Sequence, residues 1–186
     1  MRAGDVIIPQ KQGWCYNGAM GILLPIFALL ILALGFTSFF GAPYVPSLKS
    51  EIKRAFTELY KIGKKDLLID LGAGDGIVQK IAAEHGAKSV GIELNPFIAL
   101  VAKFRLRKYK DAKIITKNFY DFEFPKETTV VYIFGDSRDI KKITKKIEDE
   151  VKKLKKPIYV ISNGFRLPGH KEIKNVSSYY LYKIML

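Results

Sequence analysis

The 186-residue chain has one cysteine and two histidines. A single thiol, Cys15, closes no internal disulfide and anchors no multi-cysteine metal site. It stands far in sequence from every motif described below and is taken as a bystander. His85 and His170 have no paired ligand spacing, so no metal is expected. Charge is absent from one long stretch, with no Asp, Glu, Lys or Arg between Lys11 and Lys49. Negative charge is scarce throughout, with 18 acidic against 31 basic residues and a net charge of +13. Only Arg2, Asp5 and Lys11 precede residue 47, so the positive excess belongs to the remainder. Such an excess suits nucleic acid, an anionic membrane surface, or a merely lysine-rich composition. Apolar residues are plentiful at 48%, with 12% aromatic, which excludes wholesale disorder. The length suits one domain with an appendage.

The uncharged gap contains residues 18–40, almost continuously apolar around GILLPIFALLILALGF. As a helix this stretch spans about 34 Å, against about 30 Å of hydrocarbon in a bilayer. Pro25 falls near its first turn, where membrane helices tolerate proline. Trp14 and Tyr16 on one side and Tyr44 on the other suit the two interfaces. The run is too long for a signal peptide, and Ser38 to Ala42 offer no small-x-small cleavage site. A buried core helix would carry some polar face, and this one has none. The expectation is a transmembrane helix over 18–40, after a short tail (1–17) and before a linker (41–48). Arg2 and Lys11 precede it, whereas Lys49, Lys53, Arg54, Lys61, Lys64 and Lys65 follow it. The positive-inside tendency then gives a single-pass membrane protein with its larger domain in the cytoplasm. The linker, even fully extended, reaches under about 29 Å. The domain it carries would work close to the bilayer, with a membrane protein's lysine or an amphiphile as a natural target.

Residues 49–186 alternate between two periodicities. Ile52, Ala55, Phe56, Leu59 and Tyr60 recur as on one helix face, and Gly63 ends that helix. The apolar run 66–71 predicts a buried parallel strand. A helix follows over 77–85, then a strand over 89–94 and a helix from Pro96 to about Tyr109, with proline in its first turn. Strands are expected at 113–116, 129–134 and 157–162, with a long helix over 137–154. In that helix Ile140, Ile143, Ile147, Val151 and Leu154 form the buried stripe. The lysines between them form a solvated face, or alternatively one that meets anionic lipid. The tail, about 172–176 and 179–185, predicts an antiparallel pair. Such alternation implies an α/β fold with a doubly wound, Rossmann-like sheet, whose ligands bind beyond the carboxyl ends of the strands.

The chemistry gathers at those ends. Asp70-Leu71-Gly72-Ala73-Gly74-Asp75-Gly76 closes the first strand and opens a helix. Glycines there allow a tight turn and close ligand approach, and the helix start adds unpaired N–H groups. A dinucleotide loop has the same architecture. Three details favour S-adenosylmethionine as cofactor: the G-x-G-x-G spacing, an acid at Asp70 that welcomes an ammonium and repels a pyrophosphate, and Glu93 at the second strand's end, where a carboxylate accepts from both ribose hydroxyls.

These motifs resemble the class I, seven-strand methyltransferases over residues 43–186: DLGAGDG is similar to their glycine-rich motif and GIELNP (91–96) to the acidic element after it. NFYD (118–121) is similar to the segment beside adenine, and VVYIFGDS (130–137) to the strand facing the reacting methyl group. The resemblance implies that Gly72 and Gly74 hold the methionine end and Asp70 lies near the ammonium. Glu93 takes the ribose, Leu94 and Phe119 flank adenine, and Asn118 hydrogen-bonds near it. Pro43-Tyr44-Val45-Pro46, directly after the apolar run, resembles an element of the small membrane-anchored protein-lysine methyltransferases that act on the ATP synthase c-ring protein and the adenine nucleotide translocase. That likeness implies Tyr44 against the cofactor. The segment after the fourth strand, FGDSRD, departs from it by lacking a hydrophobic, proline-containing stretch.

The expected reaction is in-line displacement at a sulfonium by a neutral lysine amine, driven by proximity and alignment. An aromatic, weakly polar channel helps the lysine lose its proton. Tyr44, Tyr132, Phe134 and Phe165 are candidates for its lining. Asp136 is the candidate base, with capping of the next helix as the bland alternative. Three rivals stand beside this reading. One is a membrane-bound methyltransferase for a quinone or lipid; a catechol-type metal site is weakened by Ser162 standing where a second acid belongs. An RNA methyltransferase is disfavoured by the lack of an N-P-P-Y element and of a nucleophilic cysteine. The third is a non-catalytic scaffold that binds the cofactor.

Overall fold

The computed structural model describes residues 21–29, 31, 49–134 and 138–185. The chain divides into two units, Met1–Gly41 and Ala42–Leu186. In the first, residues 21–29 and Ile31 are helical, with exposed side chains. Among the described residues no helix is long and apolar enough to cross a membrane. More than half of the span expected over 18–40 lies outside them, as do Tyr44 with the rest of the 41–48 linker, and Asp136.

The second unit opens with α1 (Lys49–Arg54), which runs into a π-helical turn, Ala55–Leu59. Tyr60 N–H donates to the Ala55 carbonyl and Ile62 N–H to that of Phe56, so the last turn is wider than an α-helix. Ile52, Ala55, Phe56 and Leu59 are all buried along it. Asp66 then fastens the exit, accepting from the Tyr60 hydroxyl (2.7 Å), the Gly63 amide (2.9 Å) and the Thr129 hydroxyl (2.8 Å).

There follow β1 (Leu67–Leu71), α2 (Ile77–Glu84), β2 (Lys88–Glu93), α3 (Pro96–Leu106), β3 (Ala112–Thr116), β4 (Val130–Phe134), α4 (Ile140–Leu154), β5 (Ile158–Asn163), β6 (Lys174–Val176) and β7 (Tyr179–Ile184). They form one seven-stranded sheet in the order β3-β2-β1-β4-β5-β7-β6. The first five strands are parallel, and β7 lies antiparallel between β5 and β6. The chain steps outward from β1 to β3, then returns to place β4 on the other side of β1. That reversal opens a crevice at the carboxyl ends of β1 and β4, where such sheets bind ligands.

Strand alternation decides which side chains meet which helices. Leu68 of β1, Val130 and Tyr132 of β4 and Ile161 of β5 pack under α1 and α2. Ile69, Val131, Ile133 and Val160 face the opposite way, onto Ile140, Ile143, Ile147 and Val151 of α4. Of the α4 lysines, Lys141, Lys142, Lys145 and Lys152 are exposed. Lys146, half-buried, and Lys153, exposed like the others, both reach Glu150, whose second oxygen accepts the Phe124 amide at 2.8 Å. Burial alone would raise the Glu150 carboxyl, but the Phe124 amide and the two lysines hold it below its ordinary value. The helix therefore has one apolar side and one cationic side. Ile147→Ala is expected to cost about 2–5 kcal/mol in urea unfolding, because it leaves a cavity against the sheet. Lys142→Ala should change stability by no more than about 0.5 kcal/mol.

Candidate active site

At the tip of β1 the chain turns through Gly72 to Gly76 into α2. Gly72 and Gly76 have φ of +94° and +79°, a region that strains any other side chain. A Cβ on Gly76 would also lie 3.1 Å from that of Ala102, so α3 rests directly on the loop. The N–H groups of Gly72 and Ala73 both donate to the Ile92 carbonyl, at 3.0 and 2.9 Å, which stitches the loop to β2. Arg105 of α3 pairs with Asp75 and clamps the loop from outside.

Asp70 is buried, with 1% of its surface exposed. One oxygen accepts from Gln79 Nε2 of α2 at 2.6 Å. A buried carboxylate answered by a neutral amide rather than a cation is costly. Burial pushes Asp70 up to about 7; the Gln79 hydrogen bond pulls the other way and the nearby Glu93 charge adds to the rise. Gln79 Oε1 is itself buried and has no hydrogen-bond partner among the described residues. Gly91 of β2 pairs with Asp70 in register. Glu93, two residues on, faces the same side of the sheet. Its oxygens accept the amides of Gly74 and Asn95, each at 2.8 Å. Two carboxylates thus stand at neighbouring strand ends with the glycine loop between them. A cationic nucleoside such as S-adenosyl-L-methionine fits this arrangement. Asp70 would supply the countercharge its ammonium requires, and Glu93 has acceptor positions left over for a diol.

Gln79 is not apparent from the sequence, because a glutamine beside Ile77 and Val78 passes for a surface residue. The available signal was Gly91: a Cβ there would lie 2.6 Å from Gln79 Nε2 and 2.5 Å from Ala73 Cβ, so the strand must omit one to admit both. Leu94 is 46% exposed at the end of β2, and Phe119 is half-buried after the neighbouring β3. The Asn118 side chain is exposed, and its oxygen accepts the Tyr120 amide at 3.1 Å, capping the 3-10 turn Phe119–Asp121. Asn118 therefore shapes the backbone that carries Phe119.

The expected aromatic lining is not one surface. Tyr132 is buried beneath α1, edge-on to Phe56 (ring centroids 6.4 Å apart) and 6.3 Å from the Tyr179 ring, because alternation along β4 turns it into the core. Phe134 packs on the α1 face of the sheet and Phe165 on the α4 face. A polar knot lies where β4, β5 and β7 come together. Asn163 Nδ2 donates to the hydroxyls of Tyr179 (3.3 Å) and Tyr132 (3.5 Å), and Ser178 donates to Asn163 Oδ1 (3.0 Å). Ser162 donates to the Phe165 carbonyl at 2.6 Å. Among the described residues no group of His, Cys, Asp and Glu could hold a metal ion. An open depression lined by Lys64, Asp66, Lys88 and Glu127 lies at the opposite, amino end of the strands and has no part in this site.

With this geometry in place, likeness to known proteins becomes informative. Residues 70–174 match the family described as the ANTKMT methyltransferase domain. The chain belongs to that family. It is accordingly a class I methyltransferase by fold and motif, and S-adenosyl-L-methionine is the cofactor of that class. A protein-lysine N-methyltransferase of Saccharolobus islandicus is 31% identical over 155 residues, covering 76% of this chain and 93% of that protein. The lysine N-methyltransferase of Xenopus laevis named for the c-subunit of ATP synthase is 28% identical over 112 residues, covering 59% of this chain. The chain matches about half the length of that relative, 48%. Among solved structures, an RNA methyltransferase of Salinibacter ruber in complex with S-adenosyl-L-homocysteine has a TM-score of 0.65 at 25% identity. The match covers 75% of this chain and 92% of that one.

Asp70→Ala or Glu93→Ala is expected to lower cofactor affinity at least about tenfold, since a hydrogen bond to a charged group contributes about 1.5–3 kcal/mol; titration calorimetry measures it, with circular dichroism reporting an intact fold. Protonation adds a second expectation. The folded state holds the Asp70 proton up to about 7, whereas the unfolded chain releases it near 3.8. Ionising Asp70 therefore costs stability progressively as pH rises through that window, with no further loss above it. A cationic ligand reverses the preference, so its binding should release a proton at pH 6 and none from Asp70 at pH 8. Calorimetry in buffers of different ionisation enthalpy reads this directly, and Asp70→Asn should erase it. Gly91→Ala should displace Gln79 or Ala73, costing about 1–3 kcal/mol of stability by overpacking.

Proposed function

We propose that this chain is an S-adenosyl-L-methionine-dependent protein-lysine N-methyltransferase acting on a membrane-associated protein. The observation that carries the reading is the match to the Saccharolobus islandicus protein-lysine N-methyltransferase over 93% of that protein. The paired carboxylates within the matched region supply the chemistry it needs. The Xenopus laevis relative, named for an ATP synthase protein, supports a membrane protein as substrate. The apolar run 18–40 supports a single-pass membrane location with the catalytic unit on the cytoplasmic side.

The cofactor, when bound, supplies an electrophilic methyl group on a positively charged sulfur. The chain's own residues supply placement and charge. Asp70 would hold the ammonium, Glu93 the ribose hydroxyls, and the Gly72–Gly76 turn would admit the methionine end where a side chain would block it. Leu94 and Phe119 would flank the adenine. Rigid placement is the main contribution such a site makes, since alignment alone removes much of the barrier to displacement. The knot of Asn163, Tyr132, Tyr179 and Ser178 ties β4, β5 and β7 together. A target lysine must arrive neutral, and a site poor in water lowers its hold on the proton. Tyr44 and Asp136 are assigned to the cofactor side and to proton removal from their places in the sequence.

Incubating the full chain with methyl-labelled cofactor and membranes from a strain lacking it tests the reading. Label on one lysine of one membrane protein, located by mass spectrometry, is the expected result. Label recovered in RNA, or in a lipid-soluble small molecule, would replace protein-lysine transfer with one of the rival activities.

A further inference from the structure

Helix α3 is built inside out. Its buried side is small, with Ala99 and Ala102 fully buried and Leu106 nearly so, and it sits close on the glycine loop and β3. Its large apolar residues point away from the domain. Phe97, Leu100, Val101 and Phe104 are exposed by 54%, 66%, 55% and 67%. Their spacing of i, i+3, i+4 and i+7 makes them one continuous stripe, about 10 Å long at 1.5 Å per residue. An apolar surface of this kind, contiguous and outward, marks an interaction site.

The stripe's border says with what. Residues 96–110 contain five basic residues and no acidic one. Lys103, Arg107 and Lys108 are exposed around the stripe. The Arg107 guanidinium lies over the Phe104 ring, 4.0 Å from its centroid, so charge sits at the edge of the apolar surface. A second copy of the chain would bring the same positive charges face to face. The chain's own segment 18–40 carries no charge to answer them. An anionic bilayer surface answers both features at once, as in helices that lie in the membrane interface with phenylalanine and leucine down and lysine and arginine at the headgroups.

We propose that the outer face of α3 is a docking surface for an anionic lipid bilayer. Because α3 begins at Pro96, three residues after Glu93, this contact brings the cofactor-binding edge of the sheet toward the headgroups. The inference rests on the α3 surface alone and holds whichever molecule is methylated.

The test uses the full chain with Cys15→Ser and Phe104→Cys, carrying a polarity-sensitive fluorophore at position 104. A matched protein carries it at position 142 on α4. Both are reconstituted into phosphatidylcholine vesicles with or without phosphatidylglycerol. The expected result is a blue shift and rise in emission at position 104 only with phosphatidylglycerol, reversed by high salt, and no change at position 142. Adding K103E, R107E and K108E should reduce the response at least about tenfold, given the contribution of each basic residue near an anionic surface. A label at 104 insensitive to lipid composition overturns the proposal. So does one already blue-shifted in detergent: independently of concentration if the chain's own segment covers the face, in proportion to it if a second copy does. Cofactor affinity, measured on the same labelled proteins, reports separately on the enzymatic reading.

Discussion

A carboxylate buried without a cation is the constraint around which this unit is arranged. Asp70 sits at the tip of the central strand with a neutral amide as partner, and burial holds its proton to about 7. Taken alone this is a defect, because a desolvated carboxyl stabilises nothing that an apolar residue would not. It becomes useful only if a positive group arrives. Every neighbouring choice keeps that place open: glycines at 72 and 76 where side chains would strain the turn, and glycine at 91 so that Gln79 can reach across. Stability is given up locally, and the rest of the sheet must make it good.

It does so through a two-sided core. Alternation along β1, β4 and β5 feeds one set of side chains to α1 and α2 and the other to α4. The strands that carry the acids are therefore held from both faces while their carboxyl ends stay open. Glu150 follows the opposite logic to Asp70. It too is buried, but an amide and two lysines satisfy it, so its carboxyl is lowered and it serves architecture.

Much of this was legible in the sequence. Strand and helix positions followed from the switch between alternating and helical periodicity, with boundaries displaced by a few residues where Gly, Pro and Asn cap the elements. Asp70, Glu93 and the glycine turn were legible because an acid ending an apolar strand has few structural uses. Other features were not. The π-helical turn at 55–59 depends on backbone hydrogen bonds that shift by one residue without changing the pattern of side chains. Tyr132 suited a channel by residue type, yet its place in the alternation of β4 sends it inward. In α3 both faces are apolar, so periodicity could not tell that the alanines, not the phenylalanines, would be inside. The expected span, Tyr44 and Asp136 fall wholly or mostly outside the described residues.

The double duty of Glu93 bears on timing. Each of its oxygens already holds a backbone amide, one from the glycine turn and one from the start of α3. An ionised carboxylate offers roughly four acceptor positions, so two remain for an incoming sugar. The turn need not let go for the sugar to be gripped. Capture should then proceed at the pace of encounter and dehydration, with no slow rearrangement of the polypeptide standing between collision and a seated nucleoside.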